Sequence, residues 1–470
     1  MTTEYQTTDP FATPAFEALR EFFIESRSRS SQELGRYEHF EKELHRRMMA
    51  CEAEAAGAYL KRYDLEVEEI EVKGQSFRRK MKSEQEYCGL AGTFVVERSL
   101  FVPHDREGRA MCPLELRAGI IEGAWTPLAA RVMARAVAST TPREAAELLE
   151  EWGGLKPSAS SLDRLPKRLS ETWEEKREAF EKELRSQEPI PQEAAVVAVS
   201  LDGVHAPMKG CGRAEKRAQG DKRPQGPAGY REVGCGTVTL YDAEGERLQT
   251  IRYARMPEFK KETLKGQLEA ELGGILATRP ELQPIGLADG AEDNWDFLSK
   301  LFQGLGREEA KEAVDAFHTF EHVKAALDAY HGEGSAEAKA AFEQCRIWLR
   351  ETQDGAERVI RALRYRRDRS RGSARKRIGK EIQYLAKRRD RLRYKQLLDE
   401  HLPIGSGVVE AACKTLVAER MKRSGMSWGE EGGQAILTLR SLIQSNRWER
   451  GWELLSGQYR CQVKILKPAA

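Results

Sequence analysis

Five strand-type runs, interrupted by two helical ones, constrain this chain more than any other feature. Residues 194–203 (AAVVAVSLDG) form a nearly continuous apolar run of strand type that stops at Asp202-Gly203. REVGCGTVTLYD and ERLQTIRYAR follow as two more strands, and the short turn Ala243-Glu244-Gly245 between them predicts an antiparallel hairpin. A helix over 258–277, the short strand PIGLADG ending at Asp289, a helix over 293–301 and the strand AKEAVDAFH complete the order β-β-β-α-β-α-β. After a long helical stretch, Glu410 stands in the first turn of a helix that follows the turn Gly405-Ser406-Gly407.

Acids at the ends of the first and fourth strands, with a third acid on a later helix, follow the plan of an RNase H-like nuclease. In that plan the two strands are neighbours, so Asp202 and Asp289 can share a divalent ion. Attack on a phosphodiester needs an activated water or 3′-hydroxyl and a stabilised leaving oxygen, and paired Mg²⁺ ions provide both. Mg²⁺ takes a few carboxylate oxygens and keeps several waters, so Asp202, Asp289 and Glu410 suffice as catalytic and metal-binding residues, with Mn²⁺ able to replace Mg²⁺. Singly, each acid has a plainer reading. Asp-Gly after a strand is commonly a turn, and an acid early in a helix is favoured by the macrodipole. The ordered set is what argues for chemistry. Asp315 also ends a strand and competes for the place of the second aspartate. His318 and His322 are one helical turn apart, a spacing that permits a zinc pair, although no Glu follows His318 as the H-E-x-x-H motif requires. Trp428 offers either a core residue or a platform for an unpaired base.

Charge is distributed unevenly. Residues 356–395 hold 17 Lys/Arg against four acids, a net +13, so the rest of a chain whose total is +2 carries −11. A basic segment on an acidic body is the footprint of a polyanion-binding surface. The spacing of Arg358, Arg361 and Arg364 puts them on one helix face, with Arg366, Arg367, Arg375, Lys376, Arg377, Arg388 and Arg389 extending the surface. Tyr365, Tyr384 and Tyr394 interleave with them. Lys414, Arg420, Lys422 and Arg423, beyond Glu410, are further candidates for DNA contact.

The chain is long enough for several folded units. The expected class is α+β and multidomain. Residues 1–63 read as an N-terminal helical region and 64–125 as a β-hairpin module. Residues 126–188 read as a helix-turn-helix-like DNA-binding region. Its signals are Thr141 capping a helix with Pro142 at its first position, a stop at Gly153-Gly154, and a Ser-rich start near Ser158 with a kink or end at Pro166. Residues 189–318 hold the first part of the α/β core, 319–401 a basic all-α insertion, and 402–470 the last helices of the core. The longest apolar stretch, 194–201, is far short of a membrane span, and the N-terminal sequence lacks the pattern of a signal peptide. A cytoplasmic, nucleoid-associated protein with no membrane partner is expected. The eight cysteines form no C-x-x-C pair, and a zinc site at Cys211 and Cys235 has no second close-spaced pair to complete it.

From Leu402 to Trp448, the sequence LPIGSGVVEAACKTLVAERMKRSGMSW, followed by GGQAILTLRSLIQSNRW, resembles the C-terminal block of bacterial insertion-sequence transposases of the ISKra type, relatives of the Mutator-like DDE transposases. SLDGVHAP and GLADGAEDNW resemble that family's two Asp motifs, and VDAFHTFEH the motif that follows them. The resemblance spans about 194–455. It implies an RNase H-like catalytic domain with a helical insertion before the final Glu, and a triad of Asp202, Asp289 and Glu410. It also implies cut-and-paste or copy-out chemistry on the terminal inverted repeats of an element and on target DNA, and a homo-oligomer that holds two ends together. Relatives carry a cysteine-paired ribbon near the N-terminal region, for which this chain offers only Cys88 and Cys112. Two other functions remain open: a transposase-derived DNA-binding protein without catalysis, and an RNase H-like nuclease without strand transfer.

Overall fold

The computed structural model describes residues 13–28, 35–104, 108–210 and 229–468, and the chain divides into two compact units. One comprises 1–177 and 449–470, the other 178–448. Cys211 lies outside the described residues.

In the first unit, helices α1 (Pro14–Ser28) and α2 (Tyr37–Lys61) precede strands β1 (Val67–Val72), β2 (Gln75–Gly89) and β3 (Gly92–Pro103). Lys73 and Gly74 both have positive φ, 51° and 82°, as the tight β1–β2 turn requires. The sheet has four strands in the order β3-β2-β1-β9, because β9 (Lys464–Pro468) pairs antiparallel with β1. Sequence patterning assigns the chain's last residues to the catalytic core; residues 449–470 instead cluster with the first unit. Helices α3 (Pro113–Ala118), α4 (Pro127–Ser139), α5 (Pro142–Glu151) and α6 (Ala159–Glu175) follow the hairpin. A full capping box starts α5, with Thr141 accepting from the Glu144 N–H and the Glu144 carboxylate accepting from the Thr141 N–H. Pro166 does not end α6, which runs on to Glu175 with the proline ring buried on its inner face.

The second unit holds a five-stranded mixed sheet of β4 (Val196–Pro207), β5 (Tyr230–Tyr241), β6 (Arg247–Arg255), β7 (Gln283–Ala288) and β8 (Lys311–Val314), in the order β6-β5-β4-β7-β8. β4, β5 and β6 form an antiparallel meander, whereas β4, β7 and β8 run parallel. Parallel neighbours need crossovers, and these are α8 (Glu262–Thr278) between β6 and β7 and α9 (Glu292–Gly304) between β7 and β8; α7 (Arg177–Gln187) precedes the sheet. Leu264, Leu268 and Leu272 place one face of α8 in the core beside Val197, Val199 and Leu201. Each is fully buried, and such burial contributes about 1.5–3 kcal/mol per side chain.

Helices α10 (Ala316–His331), α11 (Ala336–Glu351), α12 (Gly355–Arg369), α13 (Gly372–Lys387) and α14 (Tyr394–Asp399) come next. Val359, Ile360 and Leu363 of α12, and Ile378, Ile382 and Leu385 of α13, face the core. The arginines between them face outward. The unit closes with α15 (Gly407–Ala412), a π-helical stretch over Cys413–Ala418, the short α16 (Glu419–Met421) and α17 (Glu430–Gln444). Helix α18 (Trp448–Gly457) then leads to β9. Among the described residues, no helix is long and apolar enough to cross a membrane.

Candidate active site

Parallel pairing sets three aspartates side by side. Leu201 pairs with Ala288, and Ala288 with Val314, so Asp202, Asp289 and Asp315 each follow a paired position. Asp289 and Asp315 lie just past β7 and β8. The first strand does not end at Asp202 as its apolar run suggests, but pairs with β5 on to Pro207. Asp202 is half-buried and lines a cavity of about 390 Å³ together with Asp289. Burial raises the Asp202 carboxyl above its ordinary value, and the like charge of Asp289 adds to the effect, against the Gly203 N–H that favours the charged form. Its Oδ1 accepts from the Gly203 N–H at 2.7 Å and its Oδ2 from the Cys413 thiol at 3.6 Å. The Cys413 thiol is held protonated by its contact with Cys235 and by burial, so it can only donate to that carboxylate. Gly203 keeps room for Glu232, whose carboxylate occupies the space where a Cβ would be.

Asp289 and Asp315 differ in what their oxygens do. Asp289 Oδ1 accepts from the Ala291 N–H at 3.0 Å and from Asn294 Nδ2 at 3.1 Å, and neither bond uses Oδ2. Asp315 is fully buried. Its Oδ1 accepts from the His318 N–H at 2.8 Å, and its Oδ2 takes both the N–H and the hydroxyl of Ser406. Among the described residues Asp289 Oδ2 has no hydrogen-bond partner, whereas both oxygens of Asp315 are bonded and tie two segments together.

Glu410 reaches the same place from α15. Ser406 Oγ lies 2.7 Å from Asp315 Oδ2 and 3.1 Å from Glu410 Oε1, so its single proton serves one carboxylate at a time. Asp315, His318 and Glu410 each offer a ligand atom within 4.8 Å of the others, the one such group of three among the described residues. Burial pulls the His318 imidazole down, but Asp315, Glu321 and Glu410 outweigh it and raise its pKa. One turn after Glu410, Cys413 touches Asp202 and opens the π-helical stretch, a distortion that is frequent at functional sites. The group of three is two carboxylates and an imidazole, and it includes neither Asp202 nor Asp289; carboxylate oxygens suit Mg²⁺ or Mn²⁺.

Sequence reasoning missed the layer behind this group. Tyr384 stacks on His322 with ring centroids 3.6 Å apart, and the Arg388 guanidinium lies 4.1 Å from the centre of the tyrosine ring. His322 Nδ1 is 2.6 Å from Glu381 Oε2. His322 thus belongs to this stack while His318 faces Asp315, and the two histidines do not form a zinc pair. Gly290, next to Asp289, gives up its side-chain space to Tyr384, whose ring a Cβ there would strike. Arg388 donates to the Gly290 carbonyl. Burial pushes the Tyr384 hydroxyl up to about 12. His322, Tyr384 and Arg388 each stand out in the sequence, as one of the histidine pair and within the basic run, but their stacking on one another does not.

The basic candidates separate by exposure. Arg358, Arg361, Arg364, Arg375, Lys376, Arg377, Arg389, Lys414 and Lys422 are exposed, and Arg366, Arg367, Arg388 and Arg423 are half-buried. Arg420 is 2% exposed, with its guanidinium 4.9 Å over the Trp428 ring, so its charge serves the core and not a surface strand. Trp428 donates its indole N–H to the Met421 carbonyl and continues the sheet through a bridge to Met208. That geometry makes it a packing residue. Tyr394 is fully buried, its hydroxyl bonded to Thr319 and the Val314 carbonyl. Tyr365 remains exposed beneath Arg369. Cys88 and Cys112 are buried free thiols of the first unit. No family model and no curated protein matches the chain.

Proposed function

We propose that this chain is a DDE-type DNA transposase, a divalent-metal-dependent nuclease and strand transferase with an RNase H-like catalytic unit acting at the ends of an insertion sequence. The observation that carries the reading is that Asp202, within β4, and Asp289, just past β7, directly follow the last parallel pair Leu201–Ala288 and line one cavity, with the Glu410 helix joined to Asp202 through Cys413. The strand order supports the fold: a three-stranded antiparallel meander whose first strand also pairs in parallel with the fourth. The resemblance at 402–448 supports the family.

Asp202, Asp289 and Glu410 would hold the metal, which supplies activation of a water or 3′-hydroxyl and neutralises charge at the leaving oxygen. The protein's part is to position the carboxylates. Asn294 and the Ala291 N–H fix Asp289, and the Cys413 thiol orients Asp202. Asp315 and Ser406 tie the start of α10 to the segment that delivers Glu410. The exposed basic faces of α12 and α13 would track phosphates without reading sequence. A nuclease without strand transfer would share this unit, but the helix-turn-helix-like region and the basic insertion favour transposition.

The test is cleavage and joining of DNA carrying the element's ends, in Mg²⁺. Asp202→Asn, Asp289→Asn and Glu410→Gln should each lose activity by about 10³-fold or more while still binding DNA. Asp315→Asn should retain part of the activity and lose thermal stability. Activity that survives Asp289→Asn and vanishes in a stable Asp315→Asn protein would move the second ligand to Asp315. Wild-type protein that binds DNA and never cuts it would leave a DNA-binding protein in place of an enzyme.

A further inference from the structure

The cavity that Asp202 and Asp289 share has a second, basic wall that the cleavage chemistry does not use. Lys260, Lys261 and Lys265 line it where the chain leaves β6 and enters α8, and Arg231 and Arg255 lie beside them on the sheet. Lys260 and Lys261 both adopt left-handed backbone conformations, with φ of 50° and 56°. Consecutive residues of this kind are uncommon for side chains larger than Gly, Asn or Asp. Here the turn is held from both sides: Lys261 pairs with Glu232 at 2.8 Å, and the Glu258 carboxylate accepts from the Leu264 N–H at 2.9 Å. Burial is the main cause that lowers the Lys265 pKa; Asp293 opposes it, and Lys261, Lys260 and Lys300 add to it. At the tip of the turn, Phe259 is 72% exposed, with Lys260 Nζ 5.1 Å above its ring.

A free phosphate would need only the lysines. An exposed aromatic ring among cations is how proteins grip single strands, with phosphates on the lysines and a base on the ring. We propose that the turn Phe259–Lys261, with Lys265, is a clamp for an unpaired nucleic-acid strand passing alongside the acidic cluster. This rests on the nuclease reading for the strand's relation to Asp202 and Asp289, and on the turn's own chemistry for its binding. The clamp is separate from the basic faces of α12 and α13, so it holds the strand at the cavity itself.

Binding of a fluorescein-labelled dT12 oligonucleotide to the full chain, in Ca²⁺ and across a salt series, tests the clamp. Phe259→Ala should weaken binding about tenfold with the salt dependence unchanged, and Phe259→Trp should restore it. The combined K260Q, K261Q and K265Q variant should make the log–log salt slope shallower by about 2, since each neutralised phosphate contributes about 0.7 to the slope on a single strand. Thermal melting of each variant checks that the exposed turn has not cost the fold. Wild-type affinity in Phe259→Ala, or an unchanged slope in the lysine variant, overturns the clamp even if Asp202-dependent cleavage is found. The expected weakening in a wild-type background that never cuts DNA would keep the clamp and remove the nuclease reading.

Discussion

At Asp202, burial and a like charge both oppose ionisation, and the sign of the effect on stability follows from that. The folded chain binds the Asp202 proton more tightly than the unfolded chain does, so this group's contribution to stability falls as pH rises through the raised pKa. Without divalent ions, Asp202→Asn should therefore melt above wild type at neutral pH. The gap should close below the ordinary carboxylate range, where wild type is protonated in both states. Melting midpoints in EDTA from pH 4 to 8 measure this, and a gap that stays constant would show an unshifted carboxyl. Added Mg²⁺ should raise the wild-type midpoint and leave the variant's unchanged. Gly290→Ala is a companion case, because its methyl meets Tyr384 and should disturb the neighbouring Asp289 without removing its carboxylate. Asp202, Asp289 and Glu410 stand out in the sequence because each meets a break in pattern, the end of an apolar run or a glycine turn; the grouping of Glu410 with Asp315 and His318 does not show there. The different bonding of Asp289 and Asp315 is not legible, since both follow strands in similar sequence. Only the bonds of Asp315 to Ser406, from a segment 91 residues away, distinguish them.

Among elements, the second unit is pinned by a buried ionic cluster in which Arg447 reaches both Glu271 and Glu188 and contacts the Tyr253 hydroxyl at 3.1 Å. It joins α8, β6 and the segment after α17. Replacing Glu271 with Leu removes one partner of a buried guanidinium and should cost about 3–5 kcal/mol in urea unfolding. Replacing Glu271, Glu188 and Arg447 together by apolar residues should cost much less, and equal losses in the two proteins would show that packing, not charge, is what matters there. Element order in this unit is readable from apolar runs and turn residues, as with the hairpin at Ala243–Gly245. The π-helical stretch at Cys413–Ala418 is not, because VVEAACKTLVAERM has the periodicity of one unbroken helix. A local widening changes backbone bonding without changing residue type. The basic faces of α12 and α13 are legible as charge. The burial of Arg420 and Tyr394 is not: Tyr394 is held by partners some 80 residues away in sequence, and nothing in the basic run around Arg420 marks it for the core.

At the scale of the molecule, the first unit is built from both ends of the chain. Sequence patterning favours neighbours and carries no sign that KILKP would pair with VEEIEV. β9 is exposed on both faces, so it is held by backbone hydrogen bonds and by surface pairs such as Lys467–Glu68 at 2.6 Å. Its lysines and Pro468 also make it a blunted sheet edge. Removing residues 462–470 should speed hydrogen exchange in β1 and leave β4 and β7 unchanged; equal exchange in β1 would show that the strand protects nothing. The pairing also has a timetable. β1 ends at Val72 and its partner begins at Lys464, about 390 residues later, or roughly 20–80 s of synthesis at ordinary ribosome speeds. For that interval β1 is an open edge on an emerging chain while the whole second unit is being made. The acidic run Glu68, Glu69 and Glu71 is then the only charge on β1 itself to keep neighbouring nascent chains apart.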